Sequence, residues 1–113
     1  MSAGPIEMAQ FCHILEQRWL AIEPQLFTKD GAKKYIGTWV RFNGKPVSLG
    51  TPIILKLESG TIARLVKVQK ADRDELATFH KQPSVVGVEG PLIAVDPDSH
   101  MVTIKAVSIS FEQ

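Results

Sequence analysis

The stretch Lys33–Val47, KKYIGTWVRFNGKPV, decides how the chain is laid out. Val40 and Phe42 fall on one side of an extended backbone and Trp39, Arg41 and Asn43 on the other, the period of two that a half-buried strand requires. Gly44 interrupts this alternation where a barrel strand would bend or bulge. Pro46 cannot donate a ladder hydrogen bond, so pairing is expected to break locally beside it. The stretch is therefore a long, kinked leading strand. It also sets Trp39 among Lys33, Lys34, Arg41 and Lys45, which raises the question of what its outer side meets.

Downstream, PIILKLESGTIARLVKVQK divides into two strands around a tight turn at Glu58, Ser59 and Gly60, where glycine supplies a positive φ. Ile53, Leu55 and Leu57 share a face on the first arm. On the second, Ile62, Val66 and Val68 are expected to share one, with Arg64 spoiling the alternation. Asp72 followed by Glu75 has the spacing of a helix N-terminus of the capping-box kind, and Leu76 and Phe79 continue a short helix that Pro83 closes. The last section has β-branched residues on both sides of a turn at Asp96–Ser99. Gly90 and Pro91 mark a bend in the fourth strand, and the fifth is expected to run to the end of the chain.

Upstream, Met8, Phe11, Cys12, Leu15, Trp19 and Ile22 recur every three or four residues over Pro5–Glu23, which predicts an amphipathic helix. Pro5 suits its first turn and Pro24 is expected to end it. The stripe can cap the chain's own barrel or lie in a partner's groove, so Met8, Phe11, Leu15, Trp19 and Ile22 are candidate partner-binding residues. Ile14 and Leu20 fall outside it and leave a second apolar surface.

The order is helix, three strands, short helix, two strands. That order selects a mostly β fold, a five-stranded OB-fold barrel with an N-terminal amphipathic helix and a short helix between strands three and four. Residues 1–31 form the helix and linker, and 32–113 the barrel. A β-sandwich needs about seven strands, and a Tudor-like or SH3-like barrel is less expected to carry a helix at that point.

With 113 residues, 44% hydrophobic and 22% charged, the chain has the composition of one globular domain. Thirteen basic against twelve acidic residues give a net charge of +1, so attraction to nucleic acid must come from local placement of cations. The single cysteine, Cys12, excludes an internal disulfide and fits a reducing compartment. The start lacks a secretory signal and no apolar run nears the ~20 residues of a membrane span, so a soluble intracellular protein without membrane association is expected.

The aromatic-Ile-Gly and Val-Arg of KKYIGTWVRFNGKPV, the later VVGVEGPLIAVD and the closing hairpin resemble the small OB subunit of replication protein A. They are secondarily similar to the smallest subunit of the telomere-capping CST trimer. The resemblance covers roughly Ala32–Phe111. It implies a single OB fold working among other subunits of a heteromeric complex on single-stranded DNA, in replication, repair or telomere maintenance, with a nuclear location, or cytoplasmic in a prokaryote.

Single-strand binders combine a cationic groove with aromatic rings on which bases stack. On that chemistry the candidate nucleic-acid-binding residues are Trp39, Arg41, Lys56, Arg64 and Lys67, with Tyr35 and Lys45 at the rim. Trp39 can equally plug one end of the barrel, and scattered lysines also keep an outer face wet.

His13, His80 and His100 stand singly, without metal-ligand spacing, and glycines form no phosphate-binding loop, so no metal or cofactor is expected. The carboxylates Asp72, Asp74 and Glu75 suit a helix start rather than acid–base catalysis. The expectation is a non-enzymatic subunit of a single-stranded nucleic-acid-binding complex. The alternative is an interaction adaptor that touches no nucleic acid.

Overall fold

The computed structural model describes residues 4–79 and 81–112, with side chains described from Cys12 to Phe79 and from Lys81 to Glu112. Helix α1 spans Gly4–Leu26 and α2 spans Gly31–Lys34. Strands β1 (Trp39–Ser48), β2 (Ile53–Lys56) and β3 (Ile62–Val66) follow, then α3 (Lys70–Ala77), β4 (Val85–Asp96), β5 (Met101–Lys105) and β6 (Ser108–Glu112).

The bend expected at Gly44 is the point where β1 changes partner. Residues Trp39–Gly44 pair antiparallel with β4, and from Lys45 onward β1 pairs with β2. A bulge follows between Pro46 and Ser48. Because one strand serves two neighbours, the order β1-β2-β3-β5-β4 returns to β1, and the parallel pairing of β3 with β5 completes a closed five-stranded barrel of the OB type.

The final strand departs from expectation. It is divided at Ala106–Val107 into β5, inside the barrel, and β6, which pairs with the first half of β4 outside it. Gly90 permits the break, since a Cβ there would lie 1.9 Å from the carbonyl oxygen of Lys105. Backbone crosses backbone where a side chain would have stood.

The second arm of the central hairpin is also one residue out of the expected phase. Thr61, Ala63 and Leu65 are buried, while Ile62, Arg64 and Val66 face outward. Arg64 thus keeps a regular alternation, in which small Ala63 takes an inward place. Glycine at the turn has the expected geometry, with Gly60 at φ 96°. Asp72 lies in the first turn of α3 rather than capping it, because the helix begins two residues earlier at Lys70, after Gln69.

Helix α1 continues through Pro24 to Leu26. Proline costs a helix one hydrogen bond and strains the preceding turn, but here the extra turn delivers Leu26, fully buried, into the core. Leu15, Trp19 and Ile22 are likewise buried at 1%, 2% and 7% exposure, and Trp19 stacks on Phe42 with ring centroids 4.6 Å apart. Trp19 and Ile22 therefore join the chain's own barrel core, and all three residues are removed from any partner surface. Met8 and Phe11 lie outside the described side chains.

Two further contacts pin the helix end. The Glu23 carboxylate accepts hydrogen bonds from Ser59 Oγ at 2.5 Å and from buried Thr61 Oγ1 at 2.7 Å. Phe27, just past the helix, packs on His100 at 4.6 Å between centroids. At the other end Phe79, after α3, meets Phe111 of β6 edge-on at 5.5 Å.

Gly90→Ala is expected to destabilise the fold by about 3 kcal/mol or more, because backbone must move. At Gly87 a Cβ would meet side-chain ends, those of Ser110 and Asn43 at 2.6 and 2.7 Å and of Arg41 at 3.5 Å, so Gly87→Ala should cost about 1 kcal/mol. Chemical denaturation of the two variants checks the difference.

The β4–β5 turn yields a second test. Asp96 Oδ2 accepts the Ser99 hydroxyl at 2.8 Å and Oδ1 the Asp98 amide at 3.1 Å. Led by the serine hydroxyl, these bonds hold the Asp96 carboxyl below its ordinary range. A depressed carboxyl contributes stability above its unfolded pKa and loses it as pH falls through the folded one. Ser99→Ala is expected to return the Asp96 midpoint toward the ordinary range in an NMR titration, with the other carboxyls unmoved.

Candidate nucleic-acid interface

The exchange of partners within β1 divides the predicted footprint in two. Trp39 and Arg41 point outward from the part of the sheet formed by β1, β4 and β6, whereas Lys45, Lys56 and Arg64 point outward from the part formed by β1, β2, β3 and β5. Sequence alternation put Trp39 and Arg41 on the outer side of β1, correctly, but set Arg64 against the phase expected of β3. It could not show that the strand changes sheets between Arg41 and Lys45.

On the first face Arg41 is neutralised. Its guanidinium lies 3.5 Å from Glu89 and 3.9 Å from Glu16, with only 19% of the side chain exposed. Trp39 is 37% exposed; its indole N–H donates to Glu89 Oε2 at 3.4 Å and its carbonyl accepts from Arg18 at 3.0 Å. Across the ladder from Trp39 is Pro91, and exposed Ile36 and Ile93 flank the same end of the ladder, where the Gly37 amide donates to the Leu92 carbonyl at 2.7 Å. The Trp39 end of this face is apolar, and Arg41 farther along is satisfied. Tyr35 stands apart, half-buried, with its hydroxyl donating to Gln25 at 2.8 Å and the Lys34 ammonium 5.3 Å from its ring.

The second face is cationic. Lys45 and Lys56 are direct cross-strand partners, both exposed. Like charges in that position repel. Arg64 follows on β3, paired between Ile54 and Thr103, and Lys105 of β5 lies opposite Val66. Among the described residues none of these cations makes a salt bridge. Half-buried Ile54, Ile62, Val66 and Met101 fill the spaces between them, so the stripe interleaves positive charge with aliphatic rather than aromatic surface. Lys67 leaves β3 at φ 54°, exposed at the end of this stripe.

Lys105 escaped the sequence reading, although MVTIK alternates as a strand should. Its membership depends on the parallel pairing of β3 with β5, a contact between segments far apart in the chain.

Where β1 leaves β4 for β2, those two neighbours diverge and a cleft of about 640 Å³ opens between Lys56–Glu58 and Val85. Its walls include Val47 and Leu57, and Lys45 and Lys56 stand at its edge. Gly44 forms the floor; a side chain there would press on Leu55 and Leu57 at 3.0 and 3.3 Å. A second hollow of about 400 Å³ adjoins it through Asn43, Leu57 and Glu58, and reaches Glu16 and Glu23 of α1. The cationic stripe therefore ends at an acidic boundary.

Fold and surface together define an OB-type barrel with one cationic outer face and an exposed apolar group at the end of the other. No family model and no curated protein matches the chain.

Replacing one member of the opposed lysine pair separates structure from use. Lys56→Thr relieves the repulsion and places a strand-favouring residue on β2, so it should raise unfolding stability by a few tenths to about 1 kcal/mol. Urea titration at low salt checks the sign, and about 1 M salt should erase the share of the gain that comes from relieved repulsion.

Proposed function

We propose that the protein is a non-enzymatic OB-fold subunit of a single-stranded nucleic-acid-binding assembly, acting in DNA replication, repair or telomere maintenance. The observation that carries the proposal is the opposed pair Lys45 and Lys56, extended by Arg64 and Lys105 on adjacent strands without salt bridges among the described residues. Like charges directly opposite each other on a sheet are destabilising, and a phosphate backbone would supply the missing counter-charge. An OB barrel offers the corresponding outer face to oligonucleotides. The resemblance of KKYIGTWVRFNGKPV and VVGVEGPLIAVD to the small subunit of replication protein A supports the same direction, and with it a nuclear location.

In this proposal the contact residues are Lys45, Lys56, Arg64 and Lys67, joined by Lys105. Trp39, Arg41 and Tyr35 take no part in phosphate binding, because Arg41 is already paired and the other two lie on a different part of the barrel. Aliphatic spacing between the cations favours contact with the sugar–phosphate chain over stacking.

The second reading, an interaction adaptor without nucleic-acid contact, is favoured by the exposed apolar group Ile36, Trp39 and Ile93. The two are compatible within one subunit, since they use different faces. Exposed Ile14 and Leu20 on α1 add apolar surface of the kind a subunit interface covers.

Anisotropy of a labelled single-stranded oligonucleotide, measured over a series of salt concentrations, tests the proposal. Binding should weaken as salt rises, and the triple variant Lys45→Gln, Lys56→Gln, Arg64→Gln should flatten the log–log slope by about 2, at roughly 0.7 for each phosphate that is no longer neutralised. Trp39→Ala should leave the slope unchanged. A flat salt response in the parent protein would leave only the adaptor.

A further inference from the structure

The geometry points to the cleft at the β1 partner exchange as a subsite for a single unstacked base, with Lys45 and Lys56 on the phosphates that flank it. This rests on the proposed binding of single-stranded nucleic acid and adds to it a place where the strand is held by something other than charge.

The size and lining fit that ligand. Small-molecule sites run from about 300 to 1,000 Å³, and the cleft, at about 640 Å³, lies within that range. Val47, Leu57 and Val85 supply aliphatic walls for the faces of a ring, and Val47, at 62% exposure, is among the most exposed large apolar side chains of the molecule. Apolar surface at the mouth of a cleft with two lysines at its edge suits a ligand with a flat organic body and a negative tail. A bare phosphate would have no use for the valines, and a purely apolar ligand none for the lysines.

Asn43 provides the polar feature a base requires. It is exposed on the cleft wall, and its Oδ1 lies 2.7 Å from where a Cβ on Gly87 would stand. The missing side chain at Gly87 is thus what lets the carboxamide settle over β4. A carboxamide presents a donor and an acceptor side by side, the pattern that matches the edge of a base. Glu58, also on the lining, is an acceptor that suits an N–H on the edge of a base, such as N3–H of thymine, and repels phosphate, which orients the nucleotide with its backbone toward Lys45 and Lys56.

The cleft exists because of the fold. Neither half of β1 can pair with both neighbours, so the gap between β2 and β4 opens at the same residues that place the two lysines opposite each other. The base subsite and the cation pair are consequences of one bend.

The test compares two fluorescein-labelled strands of equal length, oligo-dT and an abasic deoxyribose-phosphate strand, on the full chain at low salt. The parent protein should bind oligo-dT at least about fivefold more tightly than the abasic strand, the lower bound for one base held out of water. Val85→Phe, which fills the cleft, and Asn43→Ala, at an exposed position, should each reduce that ratio, with abasic affinity and salt slope unchanged. Loss of the ratio in either variant supports the subsite, and Asn43→Ala decides where Val85→Phe fails to fold. Equal binding of the two strands by the parent, or a ratio that survives both variants, overturns the subsite while the salt-dependent binding stands. Failure of both strands to bind overturns the proposed function and the subsite with it.

Discussion

Most of this structure depends on one constraint, that a single strand must satisfy two neighbours in succession. β1 pairs with β4 as far as Gly44 and with β2 from Lys45. A residue with a side chain at position 44 would crowd Leu55 and Leu57 at the inside of the bend, so the barrel closes around a glycine. Closure removes the long free edges that an open sheet of this size would expose. It also leaves one end of the core in need of a lid, and α1 provides it through Trp19, Ile22 and Leu26.

The lid is attached at its far end by polar contacts that complement the packing. Among the described residues Thr61 is the buried polar side chain of the core, and burying an unpartnered hydroxyl costs about 1–3 kcal/mol; the Glu23 carboxylate relieves that cost at 2.7 Å. The same oxygen accepts from Ser59. One acidic side chain on the helix thereby fixes both the β2–β3 turn and the position of α1 over it. The buried part of the hydrophobic stripe is thus explained by intramolecular closure, and the surfaces left for other molecules are chiefly those of the barrel wall.

How far the sequence was legible depended on the range of the interactions involved. Local patterns succeeded: the helical stripe, the inward faces of β1 and β2, the glycine turn at Gly60 and the bend at Gly44 were all readable because each is set by residues within a few positions. Two errors came from local rules yielding to packing. Pro24 is held inside α1 by the burial of Leu26, and β3 turns Ala63 and Leu65 inward although Ile62 and Val66 are the β-branched residues of that strand. The candidate site was harder, because its membership is decided by which strands lie side by side. Arg41 could not be seen to pair with Glu16 and Glu89, nor Lys105 to join Arg64, since those partners are distant in the chain. Lys45, Lys56 and Arg64 could be named from the sequence as candidates, and their division from Trp39 needed the structure.

The opposed lysines have a thermodynamic corollary. Folding brings Lys45 and Lys56 together on the ladder, whereas in the unfolded chain they are separated by a flexible loop and repel little. A share of the repulsion is therefore created by folding, and any polyanion that settles on the native face removes it. Such a ligand is linked to the folding equilibrium by mass action on the native state, and relief of the repulsion is part of the affinity that sets the size of that linkage. The barrel is consequently least stable when its cationic face is bare in dilute salt, and its melting temperature becomes a gauge of what occupies that face.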